Sequence, residues 1–306
     1  MNDKDTENFK YCIKGFRREN NVMYVLMQFI PAIRFLNKSF ADKQNQTFKQ
    51  FIDNMKQKFM NHYNEYDPSV CRDFCDSLIA AKEEAIRESK ESAPYLADKS
   101  LVMAIFDLFF AGTDTSQLTF LWMLLFMSYY PQTQKQLRQE IDTQIGDRLP
   151  THEDRQQCHY VMAFITETLR FRNVAPIGVP HRAVVRTKVG DYTLQKDTTV
   201  VLLQSVIMTD DNYWPNANKF TPERFLSNGK YINSRSKAFI PFGVGRRVCL
   251  GEKLAIADLF LVLIRFLQTT NDYDIVLESH KGLDPNVNIA DSLEPNKYEI
   301  SLKRRL

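Results

Sequence analysis

A glycine-rich segment around one cysteine constrains this chain more than any other part of its sequence. Residues 241–251 read PFGVGRRVCLG, and a helical pattern follows Cys249 directly. Backbone amides in such a segment can turn toward the sulfur, and the start of the next helix adds a positive dipole end. Both effects favour the thiolate, which can attack a substrate or bind a soft metal.

The simplest alternative is an inert cysteine that fills space, because free cysteine is among the most buried residue types. Three glycines argue against it, since glycine costs backbone entropy unless unusual dihedrals or a close approach require it. Arg247 also supplies positive charge that an inert thiol does not need. A nucleophilic cysteine would require a histidine partner, and no signature selects one among His62, His152, His159, His181 and His280.

The spacing Phe242-x-x-Gly245-x-Arg247-x-Cys249-x-Gly251 resembles the haem-binding loop of the cytochrome P-450 family, the haem-thiolate monooxygenases. The resemblance implies haem b (iron protoporphyrin IX) with Cys249 as the thiolate ligand of its iron. Arg247 would pair with a haem propionate, and Phe242 would pack near the thiolate. The other residues implied at the cofactor are Gly243, Gly245, Gly251 and Ala111.

A long helix is predicted over residues 99–130, where two apolar runs flank the polar sequence GTDTS at 112–116. The uncharged stretch 115–134 alone could pass for a membrane span. Asp107 and Asp114 argue against a span formed by the long helix, in which both would lie, because charged residues are rare within a span. We therefore expect a buried helix with a functional interruption.

The sequence AGTDTS at 111–116 resembles the motif with which a helix of this family passes over the oxygen-binding face of haem. By this resemblance Asp114 and Thr115 deliver protons to oxygen, and Gly112 allows a ligand to approach. Thr115 could also bond the carbonyl of Ala111 and loosen the helix locally. The same alignment implies a substrate pocket, with ordinary core packing as the alternative for each member: Phe106, Asp107, Phe110, Ala111, Val174, Ala175, Gly178 and Val179.

Two further motifs are weak alone and stronger together. Glu167 and Arg170 lie three residues apart on one helical face, which usually means a surface ion pair. With Arg224 in the sequence PERF, they resemble the family's structural Glu-Arg-Arg lock. Between the motifs, prolines and a glycine predict extended chain over 174–182, and the resemblance implies that His181 reaches a propionate.

Composition indicates a globular protein and excludes few classes of function. The chain has 306 residues, 44% of them hydrophobic, and a formal net charge of +3, which argues against dedicated nucleic-acid binding. Its five cysteines show no paired-motif spacing, which indicates a reducing compartment. Cys71 and Cys75 provide too few ligands for a structural zinc site.

Periodicity predicts a mainly α fold with small β-sheets, as in the cytochrome P-450 fold. We expect one partial domain over 1–306, truncated at its N-terminus relative to the family. The predicted elements, in addition to the long helix, are helices at 40–64, 72–92, 134–145 and 254–267 and strands at 183–189, 198–203 and 298–302.

The first ten residues are polar and show no signal peptide or apolar anchor. The chain resembles the C-terminal part of a microsomal-type member, and Val22–Leu36 resembles a loop that dips into the bilayer, with a core helix end as the alternative. The resemblance implies an NADPH-linked reductase as electron donor, O₂, a hydrophobic small-molecule substrate and membrane contact. It places the full-length parent at the cytoplasmic face of the endoplasmic reticulum membrane.

Two hypotheses follow. The first is a haem-dependent monooxygenase that inserts one atom of O₂ into an apolar substrate. The second is a truncated, catalytically inactive haem-fold fragment or pseudoenzyme. The spectrum of the reduced, carbon-monoxide-treated protein discriminates between them.

Overall fold

A computed structural model describes residues 38–232, 236–278 and 294–305, with side chains from residue 46 onward except at Thr47. The predicted bilayer loop Val22–Leu36 and the histidine His280 lie outside these residues. The described chain is mainly α-helical with small antiparallel sheets, as predicted. Its α-helices are α1 (Lys38–Asn64), α2 (Phe74–Arg87), α3 (Asp98–Tyr129), α4 (Pro131–Gln144), α5 (His159–Phe171), α6 (Gln204–Met208) and α7 (Glu252–Thr269).

Local signals explain where α2 begins and ends. The Asp73 side chain accepts hydrogen bonds from the amides of Cys75 and Asp76 and so caps α2. Ser89, with φ of +50°, turns the chain out of the helix soon after Arg87. The helix predicted over 72–92 is therefore shorter than expected at both ends.

The strands form two-stranded antiparallel sheets, in which β1 pairs with β4, β2 with β3, β5 with β6, and β7 with β8. The predicted strand 183–189 is wrong as one element, because only its last three residues are a strand. The strand predicted at 198–203 shortens to the two residues of β4, and the one at 298–302 begins two residues later. The bounds are β1 (His181–Arg182), β2 (Thr187–Val189), β3 (Tyr192–Leu194), β4 (Thr199–Val200), β5 (Leu226–Ser227), β6 (Lys230–Tyr231), β7 (Tyr273–Leu277) and β8 (Ile300–Arg304).

The chain divides into two compact units, residues 1–114 and 115–306. In the first unit, apolar side chains of α1, α2 and the start of α3 form one core cluster around Phe59, Ile79 and Leu101. A second cluster is aromatic and joins Phe51 to Phe106, whose ring centroids lie 5.9 Å apart. Burial of these apolar faces, rather than helix propensity, holds the unit together.

In the second unit the main core surrounds α5, which is buried along nearly its whole length. Trp122 and Phe126 of α3, Phe164 of α5 and Phe260 of α7 are all fully buried in it. Such close packing leaves little tolerance for changes in side-chain volume. Phe242 of the cysteine loop packs against this core, which thereby anchors one end of the loop.

Helix α3 runs without a break through the predicted range except its last residue, so the sequence at 112–116 does not interrupt it. The expectation of a buried helix is wrong for its middle, because residues 107–117 are exposed or half-buried. The C-terminal half, from Leu118 onward, is mostly buried. Among the described residues, no helix is both long and apolar enough to cross a membrane.

Candidate functional site

The cysteine loop has a backbone that requires glycine at two positions. Gly243 has φ of +79° and Gly245 has φ of +72°, both in the left-handed region that side chains disfavour. The amide of Cys249 donates to the carbonyl of Phe242 at 2.9 Å and closes the loop. The two glycines therefore allow a tight loop that ends at the cysteine.

The sulfur of Cys249 lies beside the start of a helix. Cys249 is exposed, and α7 begins at Glu252 with Gly251 as its N-cap. A Cβ atom added at Gly251 would lie 3.8 Å from the Cys249 sulfur, so glycine keeps that side of the sulfur clear. An accessible soft donor with space beside it and a positive helix end nearby fits a thiolate iron ligand facing a flat cofactor.

The other predicted cofactor residues of the loop and of β1 lie on the same unit. Arg247 is exposed in the short 3₁₀ turn Gly245–Arg247, and His181 is exposed on β1. Phe242 is half-buried and packs against the main core. Their roles at propionates and near the thiolate stay predictions.

The structure brings the three residues of the predicted lock together. Arg170 donates to both carboxylate oxygens of Glu167, from Nε at 2.7 Å and from Nη2 at 2.9 Å. Arg224 donates from Nε to Glu167 Oε1 at 3.1 Å. The Glu167 and Arg170 side chains are fully buried, and that of Arg224 is 12% exposed. This is a buried network rather than a surface ion pair.

Backbone groups complete the lock. Arg170 also donates to the carbonyls of Met208 at 2.7 Å and Ala217 at 3.0 Å, and the amide of Thr221 donates to Glu167 Oε1 at 2.9 Å. Buried charges are tolerated when such hydrogen bonds satisfy them. The network ties α5 to the segment that leads from α6 to residue 224.

The pocket candidates of the first unit lie on α3. Phe106 is 8% exposed and stacks on Phe110 with ring centroids 5.6 Å apart. Asp107 and Ala111 are exposed. Phe106 therefore contributes to an aromatic cluster, and the pocket role of all four residues stays a prediction.

The pocket candidates of the second unit lie between α5 and β1. Val174 is buried in the main core, whereas Ala175 and Val179 are exposed. A Cβ at Gly178 would lie 3.3 Å from the backbone oxygen of Leu202, which explains glycine there by close backbone approach. The segment predicted to be extended over 174–182 is not helical, but it bends at residues 174, 176 and 177 before it reaches β1.

The two residues predicted to transfer protons are neighbours on α3. Asp114 is half-buried and Thr115 is exposed. On either side of them, Thr113 Oγ1 donates to Phe109 O at 2.7 Å and Thr119 Oγ1 to Thr115 O at 2.8 Å. Such bonds to the carbonyl four residues back favour bending of a helix, although α3 stays continuous here.

A second group of metal-ligating residue types lies in the first unit. Potential ligand atoms of His62, Asp73 and Cys75 lie within 4.8 Å of one another. Arg72 places Nη2 3.2 Å from His62 Nε2, and burial raises the pKa of the Cys75 thiol to about 11. A cation and a protonated thiol both disfavour a metal, so the group is better explained as the cap of α2.

Sequence reasoning misses Gln204, whose buried side chain donates from Nε2 to the carbonyl of Ile240 at 2.8 Å. Its partner lies 36 residues away in the chain. No local pattern marks such a contact, although a glutamine at the start of an apolar helix is a polar residue that requires a partner when buried.

Comparison with known proteins agrees with this geometry. The sequence profile of the family described as Cytochrome P450 matches residues 1–272. A steroid 17-alpha-hydroxylase/17,20 lyase of Squalus acanthias is 34% identical over 289 residues, which cover 92% of this chain and 55% of that protein. Cytochrome P450 1A1 of Rattus norvegicus is 35% identical over 242 residues, which cover 78% of this chain and 46% of that protein.

The chain spans about half the length of the curated relatives it matches. A third relative, cytochrome P450 2K4 of Oncorhynchus mykiss, is 35% identical over 241 residues, covering 78% of this chain and 47% of that protein. Members of the matching family use haem b, which agrees with the exposed sulfur donor of the loop. The profile match over most of the sequence and the identity to several relatives show that this chain belongs to the cytochrome P450 family.

Proposed function

We propose that the chain binds haem b through Cys249 and belongs to a haem-dependent monooxygenase that inserts one atom of O₂ into an apolar organic substrate. The observation that carries this proposal is the exposed Cys249 sulfur at the start of α7, in a loop shaped by Gly243 and Gly245. Bound haem supplies the activation of O₂, with electrons from an NADPH-linked reductase. The chain's own residues hold and orient the cofactor and transfer protons.

Holding the cofactor falls to the second unit. The Cys249 sulfur is the iron ligand, and Gly251 keeps the space beside it open. Arg247 and His181 offer exposed cationic or hydrogen-bonding groups for the propionates. The lock of Glu167, with its two arginines, keeps the neighbouring segments in place.

Proton transfer falls to α3. The carboxyl group of Asp114 would take a proton from solvent, and Thr115 Oγ1 would donate its own proton toward O₂ and recover one from Asp114 or solvent. A carboxyl group and a hydroxyl group suit proton transfer, since each can donate and accept in turn.

Substrate and location are proposed only as classes. The pocket candidates are mostly apolar or small, which favours a hydrophobic small molecule. We propose for the parent protein a place at the cytoplasmic face of the endoplasmic reticulum membrane, with membrane contact and an NADPH-linked reductase as partner.

The test supplies the chain with haem, an NADPH-linked reductase, ¹⁸O₂ and a panel of apolar compounds that includes steroids. We expect a product that carries one ¹⁸O atom, and we expect none from Cys249→Ser. The matched control is Cys71→Ser, which changes an exposed cysteine of the first unit. Haem binding without any labelled product would favour the inactive fragment.

A further inference from the structure

Gln204 is a buried glutamine that contacts both the cysteine loop and the segment leading to β1. Its side chain is 3% exposed, and Nε2 donates to the carbonyl of Ile240 at 2.8 Å. A buried amide of this kind costs free energy unless it is hydrogen-bonded. The bond to Ile240 therefore fixes the position of the chain where the loop begins.

Backbone hydrogen bonds continue from Ile240 to the cysteine. The same carbonyl of Ile240 accepts the amide of Gly243 at 3.0 Å, and the carbonyl of Phe242 accepts the amide of Cys249 at 2.9 Å. The Ile240 carbonyl thus has two donors, one from the turn and one from Gln204. Loss of the side-chain donor would loosen the turn on which Cys249 closes.

Two glycines lie next to the Gln204 side chain. A Cβ atom at Gly243 would lie 3.6 Å from Gln204 Nε2, and one at Gly178 would lie 3.7 Å from Gln204 Cδ. The amide of Gly178 donates to Leu202 O at 2.8 Å, which holds its segment next to the start of α6. The glutamine therefore lies between the loop and this segment, in contact with both.

We propose that Gln204 is a positioning residue that sets the place of Cys249 by holding the first turn of its loop. This role rests on the proposed function, since Cys249 is placed for haem. A neutral amide suits the position, because it donates to a carbonyl without burying a charge. Gln204 acts through its hydrogen bond to Ile240 at the start of the loop.

The first test is amide hydrogen exchange of the haem-free chain. Gln204→Met keeps the length of the side chain and removes the donor, and we expect exchange within residues 241–251 to quicken roughly fivefold, the ratio for one hydrogen bond. Gln134→Met is the matched control. Gln134 is 5% exposed and donates to Ile275 O at 3.0 Å, on β7.

The control should quicken exchange at β7 and leave the loop unchanged. Unchanged loop exchange in Gln204→Met, or an equal effect of Gln134→Met on the loop, would overturn the proposal. Gln204→Leu, which also removes the donor at a similar side-chain volume, is the second variant if the first does not fold. It should quicken loop exchange in the same way.

The second readout is haem affinity by titration, with the spectrum of the reduced carbon-monoxide complex. We expect Gln204→Met to weaken haem binding roughly fivefold and to lower the thiolate-type fraction. Gln134→Met should leave both as they are. If the unaltered chain binds no haem, the proposed function fails, and the exchange experiment still decides the role of Gln204.

Discussion

Arg224 donates a hydrogen bond from Nε to Glu167 Oε1 at 3.1 Å, across 57 residues of sequence. The same oxygen accepts Arg170 Nη2 at 2.9 Å. Because Glu167 is buried, its charge must be balanced by these cations and by backbone donors. The contact joins α5 to the chain that leads into the cysteine loop.

Glu167→Gln tests the lock. The change leaves the buried Arg170 guanidinium without its anion, so we expect the free energy of unfolding in urea to fall by about 3–5 kcal/mol. Glu278→Gln is the control, because Glu278 pairs with Lys303 at the surface. We expect the control to change the free energy of unfolding little, since solvent screens exposed ion pairs. Equal losses for the two variants would show that the lock does not behave as a buried network.

Asp154 makes part of the stability dependent on acid pH. Arg148 donates to the two carboxylate oxygens of Asp154 at 2.6 and 2.8 Å, and the amide of Thr151 donates to Asp154 Oδ2 at 2.7 Å. The bonds from Arg148 are the main cause that lowers the pKa of Asp154 from 3.8 to about 2. Because the folded state lowers the pKa, the stabilisation is complete above about pH 4. It is lost as the pH falls through about 2.

The measurement compares the wild-type chain with Asp154→Asn by urea unfolding at several pH values. We expect the variant to be less stable by about 1 kcal/mol at about pH 6, a modest cost because Arg148 is half-exposed and screened. The difference should disappear as the pH falls toward the pKa of the folded state. Asp147→Asn, at an exposed position in the same loop, should show no such trend, and a difference that grows with acid would contradict the assignment.

Two glycine substitutions should change stability in opposite directions. Gly112 is helical and a Cβ there would have no atom within 4 Å, so Gly112→Ala should stabilise the chain by about 1 kcal/mol through helix propensity. Gly243 has φ of +79°, so Gly243→Ala should destabilise it by about 1–2 kcal/mol. Thermal unfolding of both variants checks the signs. Destabilisation by Gly112→Ala would show that its position is constrained by more than the helix.

Thr115→Ala tests the proton relay. If Thr115 Oγ1 passes a proton toward O₂, its loss should raise the ratio of O₂ consumed to product formed severalfold, since general acid catalysis contributes substantially to such steps. Ser116→Ala removes the neighbouring hydroxyl and should leave the ratio close to wild type. An unchanged ratio in Thr115→Ala would reject the relay role.

Sequence alone predicts the elements whose signals are local. The long helix of 99–130 follows from its apolar runs, and the absence of a helix just before β1 follows from its prolines. The β2–β3 hairpin is not predicted from the sequence, because the β-branched run at 183–189 predicts a single strand. Gly190, with φ of +56°, and Asp191 are a two-residue hairpin signal that could have identified it.

Contacts between residues far apart in the sequence could not be predicted from local patterns. The motif predicts the lock, but the carbonyls of Met208 and Ala217 that complete it come from segments with no pattern of their own. The contact of Gln204 with Ile240 is of the same kind. The sequence also overestimates burial of the middle of α3, because apolar content predicts burial without naming the surface that provides it.

The most direct test of the account is the difference spectrum of the haem-loaded chain, reduced and treated with carbon monoxide. We predict the Soret band of thiolate-ligated haem in the wild-type chain and in Cys71→Ser, and its loss in Cys249→Ser. A Cys249→Ser variant that keeps this band would contradict the assignment of Cys249 as the iron ligand.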